Sequence, residues 1–114
     1  MLVTPLALAQ TLLHRHRRDA EVFFRRAEAL RTQVRELAGQ VSTDGAWIIG
    51  SLASGSFGER SDVDVVVRGL TTEEIAHLWQ TWTKALGEPL DLLRFEELPA
   101  DFQRRVLAEG LRVA

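Results

Sequence analysis

Between Pro5 and Gly39 the chain has no proline or glycine. Apolar or small side chains recur there at steps of three and four: Leu6, Ala9, Leu13, His16, Ala20, Phe23, Ala27, Leu30, Val34 and Leu37. That spacing is one face of a helix with a 3.5-residue seam. Pro5 suits a first helical turn and Gly39 a C-terminal cap. A helix of this length overhangs a domain of ordinary size, so part of its stripe can meet a partner chain or a second copy. The alternative is a bent helix, or two helices, packed wholly on the chain's own sheet. His16 falls on the stripe and reads as a packing or interface residue, not a metal ligand. "HRHRRD" (His14–Asp19) reads as a solvated helix face before it reads as a nucleic-acid contact.

The remaining residues alternate between strand and helix signals. "GAWIIG" (Gly45–Gly50) is a short buried strand, and "SLASGSFGER" a loop with room for one helical turn. "SDVDVVV" is a second strand. "TTEEIAHLWQTWTKALG" is a helix, capped by Thr71 or Thr72, with Glu73 and Glu74 at its positive end. Ile75, Leu78, Trp79, Trp82 and Leu86 make its apolar face, the two tryptophans serving as core anchors. "EPLDLLRF" is a third strand. "LPADFQRRVLAEG" is a last helix, started by Pro99 and stopped by Gly110, and "LRVA" is a tail. The pattern predicts one α+β domain over 1–114: a small mixed sheet with helices packed on one face, a helical extension over 1–40 and a core over 45–114.

Composition narrows the classes. The 114 residues suit one domain, and 46% hydrophobic content is that of a globular chain. No apolar run nears the ~20 residues that span a membrane. "MLVTPLALAQ" has no basic residue ahead of it, so it reads as a helix start, not a signal peptide. The absence of cysteine excludes disulfides and thiolate metal sites and fits the cytoplasm. The net charge of -2 argues against nucleic acid as a partner. That charge is uneven, with residues 1–40 net basic and the remainder net acidic.

The acidic part holds the chemistry. Asp62 and Asp64 stand two apart at the start of a strand, so they point the same way while Val63, Val65 and Val67 face the core. Two carboxylates held close repel each other unless a cation lies between them, and Mg²⁺ is the natural occupant. The preceding residues can seat phosphates. Gly50 lets a ligand approach the backbone, and Ser51 offers a hydroxyl and an N–H. Gly55 and Gly58 allow the tight return, Arg60 adds a positive charge, and Ser61 can bond a nucleotide or orient Asp62. Asp91, a charge inside the apolar run "PLDLL", is the candidate third carboxylate. With it the site could hold two ions for an in-line phosphoryl displacement, and Asp91 could take the proton of the attacking hydroxyl.

Gly50-Ser51, then Gly55, then Ser61-Asp62-Val63-Asp64 resembles the signature of the DNA polymerase β-like nucleotidyltransferases, most closely the minimal (MNT) nucleotidyltransferases of prokaryotes. The resemblance runs from about Trp47 to Val113 and includes Asp91 and the closing "LPADFQRRVLAEGLRV". It implies that Gly50 and Ser51 contact nucleotide phosphates and that Asp62, Asp64 and Asp91 hold Mg²⁺. Many members carry arginine in the glycine loop where this chain has Leu52 and Ser54. The resemblance implies AMP transfer from ATP, or another nucleoside triphosphate, to a tyrosine of a helical HEPN toxin, with this chain as antitoxin. The long first helix is a plausible docking surface. A vestigial site in an antitoxin that works by contact, and transfer to a small molecule, are the alternatives.

Overall fold

The structure, a computed structural model, describes residues 5–114 apart from the side chains of Pro5 and His16. The first four residues of the expected helix start, and the place of His16 on the stripe, lie outside the described residues. The elements are α1 (Pro5–Gly39), β1 (Gly45–Ile49), α2 (Gly50–Ser54), β2 (Val63–Arg68), α3 (Thr72–Leu86), β3 (Leu90–Arg94), a 3₁₀ turn (Phe95–Glu97), α4 (Ala100–Glu109) and β4 (Leu111–Arg112). They form the expected α+β fold around a mixed sheet of order β3-β2-β1-β4. β1 runs antiparallel to β2 and β4, and β2 runs parallel to β3. Among the described residues no helix is long and apolar enough to cross a membrane.

Strand alternation sends Ala46 and Ile48 of β1, with Val63, Val65 and Val67 of β2, to one face. There they meet Leu30 and Val34 of α1, Leu52 of α2, and Leu78, Trp82 and Leu86 of α3. Thr71 caps α3, its hydroxyl accepting from the Glu74 N–H while Glu74 accepts from the Thr71 N–H. Trp82 is the anchor its spacing promised, but Trp79 is 47% exposed. Its Nε1 donates to the Leu90 carbonyl at 2.8 Å and ties α3 to the start of β3.

The other face is also apolar, because both central strands carry apolar residues at alternate positions too. Trp47, Val66, Phe95 and Val106 form a second buried cluster, joined by Phe102 of α4. α4 therefore lies across the sheet from α1, α2 and α3, so helices cover both faces and not the single face expected from the sequence. Gly110 makes its close approach possible, since a Cβ there would meet the Val106 carbonyl at 2.5 Å and the Trp47 Cβ at 3.2 Å. The tail "LRVA" is not loose: Leu111 and Arg112 pair with Ile48 and Trp47 as an edge strand.

Two parts of α1 behave differently. Ala27, Leu30, Val34 and Ala38 are buried, so the packing runs across the expected boundary at residue 40. Arg26 reinforces it, donating to Glu88 and to the Leu86 carbonyl, both at 3.0 Å. Toward the N-terminus Leu6, Leu8, Leu12, Leu13, Val22 and Phe24 are all more than half exposed. Strands of five or six residues are roughly 17–20 Å long. They can cover about the length of helix from Ala27 to Ala38, roughly 17 Å at 1.5 Å per residue. The rest overhangs, and the molecule is 63 Å long with a radius of gyration of 18.0 Å. A compact chain of this size would have a radius near ~13 Å. Of the two sequence readings, the overhanging helix is the one observed.

This division predicts a sharp contrast. Leu30→Ala should cost about 2–5 kcal/mol of unfolding free energy, because the side chain is fully enclosed. Leu13→Ala should change it by less than about 0.5 kcal/mol. Urea denaturation of the two variants checks it, and equal losses would contradict the packing boundary.

Candidate active site

At the end of β1 the chain turns at Gly50, with φ +69°, into the short helix α2, which Gly55 ends at φ +86°. The turn is bound internally. The Gly55 and Ser56 N–H groups both donate to the Ser51 carbonyl at 3.1 Å. The Ser54 and Ser56 hydroxyls lie 2.9 Å apart. Leu52, fully buried, anchors the turn from below. Arg31 of α1 donates to the Leu52 carbonyl at 3.0 Å, a support with no local signal in the sequence. Further along, the Ser61 hydroxyl accepts from the Gly58 N–H at 3.0 Å, so it closes the second turn just before Asp62. Arg60 is exposed on that turn.

Strand register then brings the acids together. β2 starts at Val63, immediately after Asp62, and Asp64 stands opposite Ile49 on one side and Asp91 on the other. The Val63 N–H donates to the Pro89 carbonyl at 2.9 Å, which fixes the parallel pairing at this end. Asp64 is half-buried, whereas Asp62 and Asp91 are exposed. Burial is the main reason the Asp64 carboxyl is pushed up to about 6. The charge of Asp91, a hydrogen bond with Asp91, and the charge of Asp62 each add to it. Asp64 also presses on the turn: a Cβ at Gly50 would lie 2.6 Å from its Oδ2. Residue 50 must be glycine for both its backbone angle and this contact.

The structure thus places Gly50, Ser51, Asp64 and Asp91 in one corner, with Asp62 within electrostatic reach. Among the described residues no three acid or imidazole groups stand close enough together to hold an ion as they are. The charge of Asp62 reaches Asp64 over a longer distance than a ligand bond spans. The donor set is all oxygen, as a hard cation such as Mg²⁺ requires, and the exposed sides of Asp62 and Asp91 leave room for water and phosphate.

Beside this corner a cavity of about 410 Å³ separates α2 from α4. Gly50, Ala53 and Ser54 form one wall, and Phe102, Arg105 and Glu109 the other. Nothing local in the sequence announces Arg105, about 50 residues after the glycine turn. Its position follows from α4 crossing to the site's face of the sheet.

The model of the family described as polymerase beta, nucleotidyltransferase matches residues 33–114. No curated protein matches the chain. Among solved structures, a toxin–antitoxin crystal structure with AMP-PNP aligns at 19% identity and TM-score 0.63, covering 74% of this chain and 72% of that one. A tri-AMPylated Shewanella oneidensis HEPN toxin in complex with its MNT antitoxin aligns at 16% identity and TM-score 0.58, covering 77% and 71%. A candidate minimal nucleotidyltransferase aligns at 27% identity and TM-score 0.54, covering 82% of this chain and 94% of that one.

The raised Asp64 carboxyl has a signed consequence. Its folded value of about 6 exceeds the ordinary aspartate value of 3.8, so its stabilising effect is complete below the lower value and is lost as pH rises through the upper one. Asp64→Asn should therefore match the wild type in stability near pH 4 and exceed it near pH 7.5, in chelator. The gain should be about 1 kcal/mol, reduced by solvent screening at this partly open site. A difference between the two proteins that does not grow with pH, in denaturation at both values, would contradict the raised Asp64 carboxyl.

Proposed function

This chain belongs to the polymerase β nucleotidyltransferase family, and from that premise we propose that it transfers AMP from Mg·ATP to a hydroxyl of a HEPN-type helical toxin and so acts as the toxin's antitoxin. The observation that carries the reading is the register of Asp64 between Gly50 and Asp91. It sets a carboxylate pair against a turn whose backbone a phosphate can approach. The solved toxin–antitoxin complexes of the same fold, one with AMP-PNP and one with AMPylated toxin, support the choice of nucleotide and partner.

Asp62, Asp64 and Asp91 would hold Mg²⁺, as one ion or two, which when bound would supply counter-charge and Lewis acidity to the phosphates. Ser51 offers its N–H and hydroxyl to a phosphate oxygen, and Gly50 lets that oxygen come close. Arg60 adds charge at the mouth, and Ser61 holds the turn that presents Asp62. The acceptor oxygen, a tyrosine hydroxyl in this reading, forms a bond to the α-phosphorus. The bond from that phosphorus to the bridging oxygen breaks, pyrophosphate leaves, and the hydroxyl proton passes to an Asp91 carboxylate oxygen. Asp91 is exposed beside Asp64, where an incoming hydroxyl can reach it.

The overhanging half of α1 supports docking of the partner. Its exposed Leu6, Leu8, Leu12 and Leu13 form an apolar surface, with Arg15, Arg17 and Arg18 exposed alongside. A groove of about 560 Å³ lies where this helix leaves the domain, between Phe23 and Phe24 of α1 and Phe57 of the loop.

With purified partner, Mg²⁺ and α-labelled ATP, label should appear on the partner. Asp62→Ala and Asp64→Ala should each slow transfer about a hundredfold or more. Undiminished transfer by Asp62→Ala would overturn the reading. Binding of the partner without any binding of Mg·ATP would instead mark an antitoxin that works by contact. Leu13→Glu should weaken partner binding about tenfold or more in a pull-down titration while leaving Mg·ATP affinity unchanged.

A further inference from the structure

The turn from Gly50 to Ser56 surrounds its corner with serine hydroxyls, apolar side chains and backbone, and has no cation of its own. Asp64 and Asp91 stand side by side at the same corner, with Asp62 within electrostatic reach. A triphosphate tail is heavily anionic, and the part reaching beyond the carboxylates needs charge-assisted donors. The cavity between α2 and α4 begins at Gly50, against which Asp64 rests, and passes Ala53 and Ser54. Arg105 is the one cationic side chain among its lining residues.

The base of Arg105 is firmly held while its tip is free. Val106 is buried, Phe102 packs against the Trp47 cluster, and Gln103 donates to the Phe95 carbonyl at 2.9 Å. α4 is therefore fixed on the sheet. The guanidinium has a single acidic neighbour among the described residues, Glu109, one turn along at 4.0 Å, and both side chains are more than 70% exposed. A pair of that length and exposure contributes little and leaves the fork of the guanidinium free for a two-point grip on phosphate. Glu109 lines the same wall, so its carboxylate disfavours an anion there unless Arg105 outweighs it.

We propose that Arg105 grips the β- and γ-phosphates of the bound nucleoside triphosphate across the α2–α4 cavity, exchanging Glu109 for phosphate, and keeps hold of the pyrophosphate as it leaves. The assignment rests on the nucleotidyl-transfer reading above and adds to it a binding residue from α4, which lies on the site's own face of the sheet. Arg105 acts on the length of the phosphate tail and not on the nucleoside.

Calorimetric titration of the full chain with AMP-PNP and with AMP, both with Mg²⁺, tests it without depending on turnover. The wild type should bind AMP-PNP more tightly than AMP. Arg105→Ala should lose about tenfold or more in AMP-PNP affinity and leave AMP unchanged. Arg105→Lys should recover part of the loss, because it keeps the charge and loses the fork. Glu109→Gln should tighten AMP-PNP severalfold, and Arg104→Ala, exposed on the same helix, should change neither. If the wild type binds AMP-PNP and Arg105→Ala binds it equally well, the assignment of Arg105 is wrong and the transfer reading stands. If the wild type binds neither nucleotide, both fall.

Discussion

The parallel pairing of β2 with β3 sets Asp64 beside Asp91, and the antiparallel pairing of β2 with β1 sets the same residue beside the glycine turn. These two registers meet at one residue. A slip of one position in either strand would send the carboxylate to the opposite face, into the apolar layer made by Val63, Val65 and Val67. Burying the valines of that layer is what holds Asp64 on the opposite face, beside the Trp47 cluster. Around that carboxylate the chain supplies negative charge and hydrogen-bond donors but little positive charge; Asp64 is raised first by its burial and then by its acidic neighbours Asp91 and Asp62.

The shortness of the sheet governs the rest of the molecule. It covers only the C-terminal part of α1, and there the helix is structural in two ways. Its apolar residues complete the core, and Arg26 and Arg31 hold the backbone of α3 and of the glycine turn. The remaining helix is free of those duties and keeps an apolar surface beyond its own domain. One element therefore links the turn that faces the site to a surface suited to another molecule.

Much of this was readable in one dimension. The helix of residues 5–39, the cap at Thr71, and the strands around Trp47, Val65 and Leu92 all follow from local periodicity and capping chemistry. The meeting of Asp64 with Asp91 beside Gly50 agrees with alternation and spacing, whereas the expected close cluster of three carboxylates with Asp62 is not formed among the described residues. Other features were hidden for identifiable reasons. The edge strand at Leu111 is two residues long, too short to show a period. Trp79 has the spacing of a core residue, yet its indole N–H turns it toward the Leu90 carbonyl. α4 has an ordinary amphipathic pattern, which does not reveal which face of the sheet it covers.

The sequence by itself determined which residues can do chemistry here and which elements carry them, because alternation, turn chemistry and helix period are local properties of the chain. The tertiary structure decided which of those residues meet. Strand register is set by how the valines pack, the free length of α1 by how much sheet there is to cover it, and the arrival of Arg105 opposite Ser54 by α4 crossing to the Trp47 face. Each of these depends on contacts between residues far apart in the chain, and no local pattern encodes them.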